Sequence, residues 1–447
     1  MTQNNFKTIK LPLAIISKVF LVAILLIFIS CSSGGGYDES TSTTDNSPPS
    51  IPTNLSFSQT TENSTTLSWN ASSDNIGLKD YTVFQSNTAI GSSISTTYSV
   101  NGLVSGSNYT FKIKANDNAG NSSGFSNSVS VTTISSNQLQ TASGNIEDYI
   151  GNIIDNIPSS SGGNNYTTPN AFQLEISSGV VNAILANDID LAVTKSGEIG
   201  YQITEFTDTS LSPNKIFHII EKKNQASNFW GTYVFSKTPD RDDLVIMAPH
   251  SKYDTYTGKE AVYCFKNTLA KAVFINGTHR CNSDDLSSCS GTSSACGSSE
   301  PFRISDMAHT TTSMFQSVTK TVFNSVSSSV FIQLHGFSKQ AADPYVIISN
   351  GTRETPTTDY ATLIKDALLV EDNSLTFKLA HLDTNWTRLI GFTNTQGRLI
   401  NNSIDACNTS AATTTGRFIH IEQEKSKLRD NATSWNKMSN ALKSVFN

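Results

Sequence analysis

A series of apolar runs rich in β-branched residues, spaced along the second half of the chain and separated by helix-like stretches, limits the fold more than any other feature. The runs are NKIFHIIEK (214–222), DLVIMAPH (243–250), KAVFING (271–277), SSVFIQLHGF (328–337), PYVIISNG (344–351), RLIGFTN (388–394) and GRFIHIEQ (416–423). A strand apolar on both faces has to be covered on both faces, so such runs predict the buried strands of a mostly parallel sheet. Between them, TTTSMFQSVTKTVFNSV repeats Met314, Val318 and Val322 at four-residue spacing, and TTDYATLIKDALLV and the C-terminal KLRDNATSWNKMSNALKSVF also read as helices. The expected architecture is a three-layer α/β domain with a mostly parallel mixed sheet over residues 145–447, in which working residues gather at the C-terminal ends of strands.

The preceding segment follows a different period. TTLSWNAS, KDYTVFQS, TTYSV, NYTFKIKAND and SNSVSVTT alternate apolar and polar residues between Gly, Asn and Ser turns, which predicts an all-β, immunoglobulin-like sandwich over 49–134, followed by a linker at 135–144. Trp69, Tyr81, Leu103, Tyr109 and the stretch ANDNAGNSS resemble a fibronectin type III domain of the kind carried by secreted bacterial enzymes. Tyr109, six residues after Leu103, fits a corner tyrosine that anchors a strand crossing.

The N-terminus reads as an export signal over 1–30, with two lysines followed by an apolar run too short to span a bilayer. FISC at 28–31 resembles a bacterial lipoprotein processing site, which implies lipidation of Cys31, a flexible tether over 31–48, and a place in the cell envelope, lipid-anchored at the outer membrane or cell surface. The remaining cysteines, Cys264, Cys281, Cys289, Cys296 and Cys407, are odd in number, so one is left over when the others pair. Three of them crowd the polar stretch CNSDDLSSCSGTSSACGSS, which predicts a disulfide staple and lacks the close pairs of a zinc-cysteine site. A net charge of −6 without a basic cluster excludes a nucleic-acid partner, and the chain is expected to be monomeric.

All 7 histidines fall in the α/β segment, and His250, His279 and His335 stand at or just beyond strand ends. His250, Asp254 four residues on, and His335 from another strand would supply two nitrogens and one carboxylate to a single zinc ion, leaving a fourth position for water. Period-two alternation places Phe418, His420 and Glu422 on one face, which offers Glu422 as general base. Arg280 is the expected clamp for developing negative charge, with Arg303 its rival, and Asp306 and His309 precede a helix as substrate-binding, orienting or capping residues. Taken in order, the motifs APHSKYD, THRCN, SDMAH, FIQLHGF, YVIISNG and FIHIEQ resemble N-formylglutamate amidohydrolases and phage poly-γ-glutamate hydrolases, which share the zinc carboxypeptidase architecture. The resemblance implies a phosphorylase/hydrolase-like fold, one Zn2+ and hydrolysis of an amide or peptide bond in a peptide, acyl amino acid or glutamyl polymer. It places His250 and His335 as ligands and Glu422 as base, with Asp254 departing from the usual glutamate. A non-catalytic adhesin or glycan-binding lipoprotein is the competing expectation. A glycoside hydrolase needs two facing carboxylates, and no obvious pair stands out in the sequence.

Overall fold

The computed structural model describes residues 45–134, 137–159, 161–224 and 226–446. The export signal, Cys31 and nearly all of the tether lie outside these residues. The first domain contains β1 (Thr53–Ser58), β2 (Ser64–Asn70), β3 (Leu78–Gln85), β4 (Thr88–Ser93), β5 (Thr97–Asn101), β6 (Asn108–Asp117) and β7 (Val129–Thr132). Two sheets, ordered β1-β2-β5 and β4-β3-β6-β7, face each other across a core. Leu67, Val83, Phe111, Ile113 and Val131 are the inward residues of the alternation and are fully buried there. Trp69 packs edge-on to Tyr81 at 5.3 Å between ring centroids. The Tyr109 hydroxyl accepts from the Val104 amide at 2.8 Å, so the corner tyrosine expected from the Leu103 to Tyr109 spacing is present.

The second domain begins earlier than expected, because part of the join is itself a strand. β8 (Gln140–Gly144) pairs in parallel with a later strand at one edge of the large sheet. The chain continues through α1 (Ile146–Asp155), α2 (Ala171–Leu185), α3 (Ile189–Glu198), β9 (Tyr201–Asp208), β10 (Lys215–Lys222), β11 (Thr232–Ser236), β12 (Arg241–Ala248), α4 (Thr257–Thr268) and β13 (Ala270–Ile275). After a hairpin of two-residue strands, β14 (Thr292–Ser293) with β15 (Glu300–Pro301), come α5 (Met314–Ser325), β16 (Val330–Phe337), β17 (Val346–Ser349), α6 (Tyr360–Glu371), β18 (Phe377–Leu379), α7 (Thr395–Ile400), β19 (Phe418–Glu424) and α8 (Ala432–Val445).

One 10-stranded sheet, ordered β18-β17-β19-β16-β12-β13-β11-β10-β9-β8, runs through this domain. Its centre, β13-β12-β16-β19, is parallel, whereas β11, β10 and β9 form an antiparallel flank and β17 runs against β19. The sheet is therefore mixed, with less parallel character than the buried runs suggested, because a doubly buried strand reads alike in either direction. Alternate residues of β12 enter opposite cores: Leu244, Ile246 and Ala248 pack with α1, α4, α6 and α8, and Val245 and Met247 pack with α2, α3 and α5. Fully burying each such Leu, Ile or Met contributes about 1.5–3 kcal/mol. RLIGFTN is not a strand. Leu389 and Gly391 sit at φ 58° and 67°, and a side chain at 391 would meet the His420 ring at 2.9 Å.

Cys281 bonds Cys296 and Cys289 bonds Cys407, while Cys264 is free and buried. The polar loop is thus stapled twice, once internally and once to the segment before β19. These bridges close 15 and 118 residues respectively. Chain-entropy reasoning gives about 3 kcal/mol for the shorter loop and nearer 5 for the longer. Denaturant midpoints of the Cys281→Ala/Cys296→Ala and Cys289→Ala/Cys407→Ala pairs are expected to fall in that order, the second more than the first.

Candidate functional site

The connection leaving β12 turns through α4 to β13 on one side, and the connection leaving β16 crosses to β17 on the other. Two neighbouring parallel strands whose exits diverge leave a crevice at their C-terminal ends. His250 follows β12 by two residues and His335 stands near the end of β16, so both flank that crevice. A cleft of about 1090 Å³ opens there, lined by His250, Asp254, His335, His420, Glu422 and Arg429 among others.

Asp254 reaches the crevice because the chain turns over itself after β12. Its amide donates to the His250 carbonyl at 2.9 Å, which brings both side chains to one side of the turn. His250 Nδ1 lies 3.2 Å and His335 Nδ1 3.3 Å from the same Asp254 Oδ2. The far nitrogens are engaged as well: His250 Nε2 donates to Asp306 Oδ1 and His335 Nε2 to Gln333 Oε1, each at 2.8 Å. Each ring thus faces an acceptor on both nitrogens, although a neutral imidazole carries only one N–H. Burial and the neighbouring His420 push the His335 pKa down to about 4. Burial and Arg280 also oppose charge on His250, but Asp306 and Asp254 on either side outweigh them and raise its pKa. Burial would raise Asp254, but the two imidazoles hold it well below the ordinary carboxylate range.

The donor set fits a divalent cation. Bonds of about 2.0–2.2 Å around a tetrahedral ion separate neighbouring donors by roughly 3.3–3.5 Å. The two separations from Asp254 match that, and suitable ligand atoms of all three residues lie within 4.8 Å of one another. Asp306 and Gln333 hold the Nε2 protons, as outer partners of ligating histidines do.

Arg280 is spent inside this arrangement. Its Nε and Nη2 both donate to Asp306 Oδ2, so its place is behind His250, and substrate does not find it as a free fork. His309 Nδ1 also meets Asp306 Oδ1, at 2.9 Å, and its ring stacks on Phe302 at 3.7 Å. Asp306 therefore orients two imidazoles and does not cap α5, whose N-cap is Ser313. Arg303 pairs with Glu300 and Asp284 and is absent from the cleft lining.

β16 and β19 run in parallel with His335 opposite Glu422 and Gln333 opposite His420. The His335 and His420 rings lie 4.3 Å apart, and His420 Nε2 stands 3.4 Å from Glu422 Oε1. Among the described residues, Glu422 Oε2 and both nitrogens of His420 are buried without a hydrogen-bond partner. Such atoms are costly unless a ligand satisfies them. His420 was not singled out as a site residue, although it shares the face that marked Glu422. Arg429 was missed too: its guanidinium lies over Gly336, where any Cβ would collide with it, and it donates to the carbonyls of Gln423 and Thr255. No helical or strand period marks it, since it sits in a short π-helical turn, Lys425–Arg429.

Behind the cleft, Glu260 on α4 is fully buried and accepts from Gln423 Nε2 at 3.0 Å. Burial outweighs Arg429 and this hydrogen bond and pushes its pKa from 4.5 up to about 8. The folded state therefore holds a proton there that the unfolded chain gives up at lower pH. The associated stability is complete below pH 4.5 and is lost as pH rises through 8. Glu260→Gln is expected to leave the melting temperature near pH 4 almost unchanged and to raise it at pH 9, as thermal denaturation would show.

Residues 48–132 match the fibronectin type III domain family, so the first domain belongs to that class of module. Among the proteins this chain is similar to are bacterial enzymes named as chitinases and exoglucanases. The chain is 45% identical over 100 residues to Chitinase Chi52 of Paenibacillus xylanexedens, covering 22% of this chain and 19% of that protein. It is 46% identical over 89 residues to Chitinase A1 of Niallia circulans, covering 20% and 13%. It is 41% identical over 97 residues to Exoglucanase B of Cellulomonas fimi, covering 21% and 9%. The chain thus spans under a fifth of the length of these relatives. A chitinase structure, ChiA74 from Bacillus thuringiensis, aligns with 31% identity over 20% of this chain and 14% of its own, at a TM-score of 0.19. These findings overturn the expectation of a zinc amide or peptide hydrolase: the relatives are named chitinases and glucanases, and neither the amidohydrolase family nor a peptide or glutamyl-polymer substrate receives support. The order of short motifs misled because the C-terminal strand ends of an α/β sheet gather functional residues whatever bond is cut. Among the described residues no helix is long and apolar enough to cross a membrane.

Proposed function

We propose that this chain is an exported hydrolase of carbohydrate polymers whose α/β domain cleaves glycosidic bonds at the β12/β16 crevice. The observation that carries this reading is the 45% identity between its fibronectin module and that of a chitinase. The two disulfides agree with an oxidising compartment outside the cytoplasm, where such polymers are met. Lipid attachment at Cys31 and a cell-envelope location belong to the same proposal, as does the phosphorylase/hydrolase-like character of the fold.

In this reading His250, Asp254 and His335 hold a divalent cation, for which two imidazoles and a carboxylate suit zinc. When bound, that ion supplies positive charge to polarise an oxygen of water or of the sugar. Asp306 and Gln333 keep the ligand rings in one tautomer, with Nε2 protonated. Glu422 gives a proton to the departing glycosidic oxygen, so the bond breaks without releasing a free alkoxide, while the attacking water bonds the anomeric carbon from the opposite face and passes its proton to the Asp254 carboxylate. Asp254 Oδ2 lies 3.3 Å from His335 Nδ1, and His335 stands opposite Glu422 on the paired strand. Release of reducing ends from insoluble chitin, cellulose and xylan, with and without a chelator, tests the proposal. Metal-dependent release from at least one polymer is expected; inertness towards all glycans together with a folded, metal-loaded site removes it.

A further inference from the structure

We infer that the α/β domain carries a second, non-catalytic binding site for a neutral oligosaccharide, in the cavity between α1, the ends of β9 and β10, and the loop before β11. The cavity has a volume of about 530 Å³ and shares no lining residue with the cleft. That is the size range of small-molecule sites. It opens at the same rim of the sheet as the cleft, because Thr232 at the start of β11 pairs with Ile275 at the end of β13, and Ala248 at the end of β12 also pairs with Ile275.

The lining selects the ligand. Glu221 is only 6% exposed, and its Oε1 accepts from Tyr149 Oη at 2.9 Å, Gln202 Nε2 at 3.1 Å and Thr204 Oγ1 at 2.5 Å. One oxygen of this carboxylate is thus engaged by three neutral donors. The Lys222 ammonium is likewise taken up by the carbonyls of Lys223 and Ala226. Both charged groups of the lining are therefore already hydrogen-bonded within the protein. What remains is amide and ring. Asn152 and Asn156 line the opening from α1, and Asn228, fixed through its Nδ2 on the Ile199 carbonyl at 2.7 Å, keeps a buried Oδ1 without a donor. Amides present donor and acceptor side by side, which matches hydroxyl groups that are both. The half-buried Phe229 ring, with the Lys222 ammonium 5.3 Å from its centroid, offers its remaining apolar surface to the C–H face of a pyranose. Hydroxyls on one side and C–H groups on the other describe a neutral sugar.

The inference rests on the carbohydrate reading only for the class of polymer; the site is a separate one. Calorimetric titration of the full chain in the Glu422→Gln background, with chitotetraose and cellotetraose as probes, tests it. Binding of at least one probe is expected to weaken tenfold or more in Phe229→Ala and in Asn228→Ala. Asn152→Arg, an exposed helix position that tolerates a long side chain, should block the opening and serves if the buried variants do not fold. Binding that survives all three variants, or that vanishes only with His335→Ala, overturns the inference, as does the absence of binding by either probe. Polymer turnover without a second binding event leaves the proposed hydrolysis standing and removes this site. Binding here without turnover does the reverse.

Discussion

Glu422→Gln is expected to cut turnover of the responsive polysaccharide by about 10²- to 10⁴-fold, the usual contribution of a positioned proton-transfer group. The substitution keeps shape and hydrogen-bonding capacity but abolishes proton exchange. The loss should therefore fall on kcat, with KM changing little and the thermal midpoint hardly at all. The geometry behind this is specific: Glu422 faces His335 across two paired strands, keeps one buried oxygen without a partner and has His420 beside the other. Glu424→Gln is the control. It is further along the strand, and its Oε2 is occupied by Ser426 and the Lys427 amide. A loss under tenfold in Glu422→Gln, or an equal loss in both variants, would exclude Glu422 as the proton carrier.

The second large effect concerns the cation. Zinc titrated into chelator-stripped protein is expected to fill one site, and His335→Ala or Asp254→Ala should abolish that binding, because either leaves two protein donors. Asp306→Asn is the more discriminating variant. Asp306 touches no proposed ligand atom that faces the centre; it holds His250 Nε2 at 2.8 Å and is itself held by Arg280. Loss of such an outer partner typically weakens metal binding about 10- to 100-fold. Arg280→Met should move affinity in the same direction by less. An affinity unchanged in His335→Ala would mean that zinc sits elsewhere.

How far the site could be read from the chain differs from residue to residue. His250, His335 and Glu422 were legible because each stands at a strand end or on a strand's periodic face, and Asp254 because it follows His250 by four residues; the structure brings all four to one cleft. Arg280 was legible as a nearby cation, but its partner, Asp306, lies 26 residues away, and local spacing says nothing of that pairing. Arg303 looked equivalent and is bound to Glu300 three residues earlier. The architecture was legible in layers and less so in direction. The run IFHII of β10 is as apolar as the parallel VFIQL, yet it is antiparallel to both neighbours. RLIGFTN was apolar for another reason: Ile390, Gly391 and Phe392 form a wall of the cleft, where the alternation of a strand has no meaning. The proposed carbohydrate substrate has no mark in the α/β segment and rests on the relatives of the fibronectin module.

The donors of the proposed ion come from strand ends and one tight turn, whereas much of the surrounding wall comes from the stapled loop near Thr292–Ala295 and the stretch Thr387–Thr393. Chemistry and selectivity therefore occupy different parts of the backbone. If the proposed function holds, the walls can be re-lettered, lengthened or exchanged to suit another substrate while the sheet keeps the three proposed ligands in place.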